Sequence, residues 1–185
     1  VWLNDQGAAY HCGIDFNLFR PIPAKLARSK FGLPNDRKIV LFPSSPKAIG
    51  KRFDIAKEAI RILRNSGVDV ELIPLNNVPH KAVAFYMNAS DVMLYTSDYE
   101  ASPMVIKEAM ACNIPIVSTD AGDTKWVMGD TEGYFISQKD PEDIASKMKM
   151  ALDYGRRTEG RERIIELGLE LQQIARKIIN IYKET

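Results

Sequence analysis

From residue 38 to about residue 152, short apolar runs alternate with longer segments whose apolar positions recur every three to four residues. Short continuous runs suit strands buried on both faces, and the longer period suits helices that cover them. KIVLFP (38–43) predicts the first strand. RFDIAKEAIRILRNSG (52–67) predicts a helix with Ile55, Ala59, Ile62 and Leu63 on one face and Gly67 as its stop. VELIP (70–74) is a second strand, HKAVAFYMNAS (80–90) a short helix and DVMLYT (91–96) a third strand. SDYEASPMVIKEAM (97–110) leads into the next helix. IPIVST (114–119) and GYFIS (133–137) are two further strands, separated by a loop and short helix containing GDTKWVMG. Asp140 and Pro141 open a helix running through Leu152, because proline suits the first helical position. A charged, amphipathic last helix is expected over 158–184.

This order predicts an α/β fold: a doubly wound, mainly parallel, Rossmann-like sheet of five strands. Residues 1–37 read as an irregular connector and lead-in, and 38–155 as the Rossmann-like domain. Residues 156–185 read as a terminal helix, packed on that domain or returning to another one. Sheets of this kind bind ligands beyond the carboxyl ends of their strands. Candidate chemistry therefore belongs to Phe42–Lys51, Pro74–His80, Thr96–Met104 and Thr119–Thr124.

Composition narrows the picture. The chain has 185 residues with 45% apolar and 26% charged, ordinary for a globular protein, and a net charge of +1. No global field draws in nucleic acid, so an anion site must be local. Apolar runs are too short to cross a bilayer, and the first residues lack the basic start and apolar core of a signal peptide. Cys12 and Cys112 form no CxxC pattern, which favours unpaired thiols and a cytoplasmic location.

At the strand ends, Glu100 and Glu108 stand eight positions apart around a Ser-Pro step. Ser102 is placed to cap the helix and Pro103 to begin it, leaving the amides of Met104 and Val105 as a phosphate seat at the positive end of the helix dipole. At about 100° per residue, Glu108 falls among Val105, Ala109 and Cys112, while Lys107 is expected to face away. An enclosed carboxylate needs a partner. A ligand and a structural ion pair are both open readings. The loop FPSSPKAIGK carries Ser45, Lys47 and Lys51 before a helix, where two cations suit a diphosphate or simply a solvated basic loop. It matches neither the dinucleotide nor the P-loop glycine pattern. Asn77, Val78 and Pro79 offer backbone groups to a flat base, or form only a turn, and GDTKW (122–126) is a similar loop. His80 reads as a helix-start or surface histidine. His11 and Cys12 lack neighbours for a metal site.

Together these pieces resemble the donor-binding half of the family-4 retaining glycosyltransferases, whose GT-B architecture sets two Rossmann-like domains face to face. TSDYEASPMVIKEAMACNIPIVSTDAGD (96–123) is similar to the family's Glu-x7-Glu motif, its Glu-Ala-Met-Ala helix, the strand after it and the acidic glycine loop. CGIDFNLFRP (12–21), FGLP (31–34), LFPSSP…KRFDIAKEAI (41–60) and YMNASDVMLYTS (86–97) resemble other parts of the same half. The resemblance covers residues 12 to about 155. It implies that Glu108 accepts from ribose hydroxyls and that Glu100 sits by the donor sugar. Lys51 and the amides after Pro103 would hold the diphosphate, and loop 75–79 would meet the base. It further implies a UDP-, GDP- or ADP-sugar donor, a hexose-type sugar transferred with retention to a glycan, lipid or small-molecule acceptor, as in polysaccharide biosynthesis, and no cofactor or metal. An acceptor-binding N-terminal domain would be the partner, with peripheral membrane association through that half. A nucleotide-binding module that lost transfer is the alternative. Three positions depart from the pattern. The family's Gly-Arg step before the lysine reads SSPKAIG, which leaves two open readings, Lys47 as the substitute for arginine or an arginine role that is missing. Ala101 replaces a glycine, and His11-Cys12 replaces Pro-Asn.

Overall fold

The computed structural model describes residues 2–3 and 9–184 of the chain. Its main sheet has five strands: β3 (Lys38–Phe42), β4 (Val70–Pro74), β5 (Val92–Tyr95), β6 (Ile116–Thr119) and β7 (Tyr134–Ser137). They lie in the order β4-β3-β5-β6-β7, and every pairing is parallel. A separate antiparallel pair, β1 (Trp2–Leu3) with β2 (Ala9–Tyr10), precedes them.

Strand residues alternate between two cores, as the two-residue strand period requires. Val40 and Phe42 of β3, Val92 and Leu94 of β5 and Val117 of β6 face one side. There they meet α2 (Phe53–Asn65) through Ile55, Ala59 and Leu63, and α6 (Pro141–Tyr154) through Ile144 and Met148. Leu41, Met93, Tyr95 and Ile116 face the other side. They pack under α3 (His80–Ala89), α4 (Met104–Ala111), α5 (Thr124–Met128) and α7 (Gly160–Glu166). Burying each such aliphatic side chain contributes roughly 1.5–3 kcal/mol, so the sheet is a stiff platform for the loops at its ends. The doubly wound, Rossmann-like expectation is met.

Local signals account for several boundaries. Asp140 caps α6 by accepting from the Asp143 amide at 2.9 Å, with Pro141 in the first turn, and Gly155 closes it at φ 65°. Two expectations differ from the structure. Residues 1–37 were expected to be irregular, yet they contain α1 (Ala24–Lys30), and Ile14, Phe19 and Ala27 are fully buried. The expected single helix over 158–184 is two, α7 and α8 (Leu171–Glu184), broken at Gly168 with φ 65°. The two segments meet: the Ile14 amide donates to Leu169 O, and the Leu171 amide donates back to Ile14 O, each at 2.9 Å. Among the described residues, no helix is long and apolar enough to cross a membrane.

β3 connects through α2 to β4 on one flank, and β4 then returns through α3 to β5 on the other flank of β3. The carboxyl ends of β3 and β5 therefore bound the crevice where strand order reverses, which is where doubly wound sheets bind ligands.

Candidate functional site

The loops that leave β3 and β5 are tied together across that crevice. The Asp98 amide donates to Gly50 O at 2.8 Å, and the Thr96 hydroxyl donates to Lys51 O at 2.8 Å. Arg52, in the left-handed region at φ 50°, starts α2 and turns the chain so that Lys51 points at the β5 loop. The Lys51 ammonium bonds the Glu100 carboxylate directly and lies 3.1 Å from the Tyr95 hydroxyl. The same oxygen of Glu100, Oε1, accepts from Tyr95 at 2.5 Å and from Ser97 at 2.8 Å. Burial alone would raise the pKa of Glu100, but hydrogen bonds from Lys51, Tyr95 and Ser97 outweigh it and hold the carboxyl below its usual value. Burial, with Glu100 as its acceptor, pushes the Tyr95 phenol well above its usual range, so it remains a donor.

Glu108 lies on α4, with only 8% of its surface exposed. Its Oε1 accepts from His80 Nε2 at 2.8 Å, and His80 opens α3 with its ring edge-on to Phe19. Burial raises the pKa of this carboxyl, and the His80 hydrogen bond offsets only part of the rise. His80 is the helix-start residue expected. The enclosed glutamate thus has a protein partner, and it is a half-solvated one, since the His80 side chain is 65% exposed.

The remaining sequence candidates are placed as follows. Lys47 is exposed and its ammonium makes no ion pair among the described residues, while its amide donates to Ser45 Oγ at 3.3 Å. Loop 75–79 follows β4 beside this crevice: Asn77 is exposed at φ 53°, Val78 packs partly on the core and Pro79 begins α3. Ser102 does not cap α4. Its hydroxyl donates to Asp123 Oδ2 at 2.6 Å, and the helix starts after Pro103 without a side-chain cap. Met104 and Val105 form the first turn of α4, so their amides are free of helical partners.

Lys107, expected to face away, is completely buried. Its ammonium bonds Ser102 Oγ and lies 3.2 Å from Asp123 Oδ2. The wheel of α4 fails here because loop 120–123 and residue 11 cover the side opposite the sheet. His11 Nδ1 is 2.9 Å from the same Asp123 oxygen, and its ring stacks on Trp126 at 4.9 Å. GDTKW is therefore committed to protein contacts through Asp123 and Trp126. Of the residues that sequence reasoning missed, Tyr95 and Ser97 had a signal, since both adjoin a strand end. The pairing of His11 with Asp123 had none, the two being 112 positions apart.

A groove of about 470 Å³ lined by Thr131, Tyr154, Arg157 and Arg163 opens near the amino-terminal end of β7, away from this crevice. Its five carboxylates, Asp130, Glu132, Glu159, Glu162 and Glu166, outnumber its three arginines, which suits an anionic diphosphate poorly. Among the described residues, no three His, Cys, Asp or Glu side chains gather as a metal site would need.

The fold and the crevice define a Rossmann-like α/β domain with charged groups at its topological switch point. The model of the family described as glycosyl transferases group 1 matches residues 55–170, and the chain belongs to that family. It is 26% identical over 137 residues to the D-inositol 3-phosphate glycosyltransferase of Mycobacterium tuberculosis, covering 60% of this chain and 28% of that protein. The chain thus spans little more than a quarter of the curated relatives it matches. Among solved structures it resembles the C-terminal domain of a glycosyl transferase group 1 family protein from Francisella tularensis, with a TM-score of 0.61 and 18% identity over 90% of this chain and 98% of that one. It also resembles Anabaena HepE in complex with UDP-glucose, with a TM-score of 0.68 and 18% identity over 94% of this chain and 56% of that one. These likenesses are of fold, and they correspond to one half of a GT-B protein.

Proposed function

We propose that the chain is the donor-binding domain of a family-4 retaining glycosyltransferase that takes a nucleoside-diphosphate sugar. The observation that carries this reading is the set of charged groups at the switch point. The Lys51 ammonium and the Glu100 carboxylate meet across it, with the free amides of α4 and the enclosed Glu108 beyond. In this reading the ribose diol donates to Glu108, whose Oε2 takes no hydrogen bond from the described residues. The diphosphate lies against the Met104 and Val105 amides and Lys51, with Lys47 and Ser45 on the rim, and loop 75–79 meets the base. The sugar lies by Glu100.

When the bond from the anomeric carbon to the diphosphate oxygen breaks, the diphosphate leaves with the electron pair. Lys51 and the helix amides stabilise that growing charge in place. An acceptor hydroxyl forms the new bond on the same face of the sugar and gives up its proton to the departing diphosphate oxygen. The donor sugar is hexose-type, UDP-glucose being the ligand named for the Anabaena relative. No metal is required.

The acceptor site and a facing domain belong to the rest of a longer, cytoplasmic protein. Residues 1–37 lead in from that domain, 38–155 bind the donor, and 156–185 return toward it. The exposed Ile178, Ile179 and Tyr182 of α8 favour such a return.

Thermal shift and calorimetry with UDP, GDP, ADP and their sugar derivatives test the proposal, because a ligand of the folded state raises stability by mass action. The isolated chain is expected to bind one of them, with or without chelator, and to transfer no sugar, since only one reactant is held. Failure to bind any of them, or a strict need for magnesium, overturns the assignment. A longer protein that binds the donor yet transfers nothing would favour a non-catalytic module.

A further inference from the structure

The polar cluster behind Glu100 has no place in the donor contacts above. Lys107 extends back along α4 toward the helix start, as helical side chains do, and ends with no exposure at all. It donates to Ser102 Oγ and faces Asp123 Oδ2 at 3.2 Å, and Ser102 donates to that oxygen at 2.6 Å. His11 Nδ1 reaches the same oxygen at 2.9 Å, while Asp123 Oδ1 is buried with no hydrogen-bond partner among the described residues. The loops so joined already touch through their backbones. Gly122, at φ 63°, lies so close that a Cβ built there would come within 2.6 Å of Ala101 O and 2.7 Å of Glu100 O.

A buried ammonium with a single carboxylate is poor value for stability. Apolar residues of the same size are often neutral or better in such a place, whereas deleting one partner alone is strongly destabilising. What the cluster does supply is direction. Every member other than His11 belongs to α4 or to the loops at the carboxyl ends of β5 and β6, and Ser102 is two residues from Glu100.

We infer that Lys107 is a positioning residue for Glu100. Through Ser102 and Asp123 it clamps the Glu100–Ser102 loop onto the Asp120–Asp123 loop, and so fixes where Glu100 presents its carboxylate to the donor sugar. The inference rests on the reading of Glu100 as the sugar-side acid, and the clamp itself is tested without any ligand.

Two variants serve. K107M/D123N removes both charges and keeps the volumes, and S102A keeps the Lys107–Asp123 pair but cuts its link to the Glu100 loop. Amide hydrogen exchange is read at Asp98, whose amide bonds across to Gly50 O in the loop after β3, at Thr124, whose amide bonds Ala121 O within the Asp120–Asp123 loop, and at Leu94 and Val117 in the sheet. The expected result is exchange about tenfold faster or more in the loops, with the sheet unchanged, since loops open locally without global unfolding. In titrations with UDP and UDP-glucose, both variants are expected to lose about tenfold in the ratio that favours the sugar nucleotide, a change of about 1.4 kcal/mol, and to hold UDP as the parent does. Unchanged loop exchange, or exchange that rises equally in the sheet, overturns the clamp and leaves Lys107 a simple strut. Faster loop exchange with an unchanged affinity ratio overturns the link to Glu100. A parent chain that binds neither UDP compound is titrated in the same way with the GDP and ADP pairs, and binding of none speaks against the donor assignment, while the exchange comparison still decides the clamp.

Discussion

Glu108→Gln separates a ligand-binding acid from a structural one. The substitution keeps the volume of the side chain, removes its charge and replaces one acceptor oxygen with a donor. Two structural quantities set its effect on folding. Burial raises the pKa of Glu108 in spite of His80, so the fold disfavours the ionised form. By linkage, a raised carboxyl pKa gives stability that is full below the unfolded value and lost as pH rises through the folded one. At neutral pH the charge is therefore a cost that glutamine removes. Against this stands the His80 hydrogen bond, whose donor side chain is 65% exposed and so contributes in the range of a surface pair, about 0–1 kcal/mol. The two nearly cancel, and the melting temperature is expected to move by less than about 4 °C. Binding is another matter. Each hydrogen bond from a ribose hydroxyl to an ionised acceptor is worth about 1.5–3 kcal/mol, so nucleoside diphosphate affinity should fall roughly tenfold to over a hundredfold. Calorimetric titration of parent and variant, beside their melting curves, gives both numbers. A variant that binds nucleotide like its parent but melts far lower would refute the reasoning and make Glu108 a strut.

Lys51→Ala is expected to weaken diphosphate binding about tenfold or more while leaving nucleoside binding near its parent value, because charge-assisted bonds address the phosphates. Equal losses for both ligands would count against it. Lys47→Ala should also weaken the diphosphate if Lys47 serves in place of the missing arginine, and unchanged affinity in isothermal titration would dismiss that role. Gly122→Ala should destabilise the fold by about 1–3 kcal/mol, the usual cost of a residue forced into the left-handed region, with more from the clash at 2.6 Å, and a denaturation midpoint equal to the parent's would disprove it. The pKa of His11 is lowered by burial and then by the Lys107 charge, which together outweigh Asp123. The unfolded chain therefore binds the proton first, and stability falls as pH drops below about 6.5. Denaturant titrations at about pH 7.5 and pH 5.5 should show this loss shrinking in His11→Asn, and an identical pH dependence would sink the assignment.

The fold was legible because its signals are local. The continuous apolar runs KIVLF and VMLY, the stop at Gly67 and the Asp140-Pro141 start each lie within a few residues and survive without knowledge of neighbours. The site was legible as positions, because a doubly wound sheet brings all its strand ends to one side. Its pairings were not. Lys51 and Glu100 are 49 positions apart, His80 and Glu108 are 28 apart, and Lys107 and Asp123 are 16 apart. Lys107 shows the physical limit most clearly. A helical wheel knows only the face a helix turns to its own sheet, whereas α4 is also roofed by the loop after β6 and by residue 11, so both of its sides are dry.

The pairing of Lys51 with Glu100 changes how the two residues are to be read. The family resemblance implies one at the diphosphate and the other at the sugar, as if they acted separately. In the structure they share one hydrogen-bonded network with Tyr95 and Ser97, and all three donors converge on a single carboxylate oxygen. Removing Lys51 would leave burial less opposed and raise the pKa of Glu100, and removing Glu100 would leave the phenol without its acceptor and the ammonium with the Tyr95 hydroxyl in place of a carboxylate. Residues in one such network couple by about 0.5–3 kcal/mol. Under the proposed donor placement, the two ends of the donor would be sensed by one unit, in which a change at the phosphate side is felt at the sugar side through a single shared oxygen.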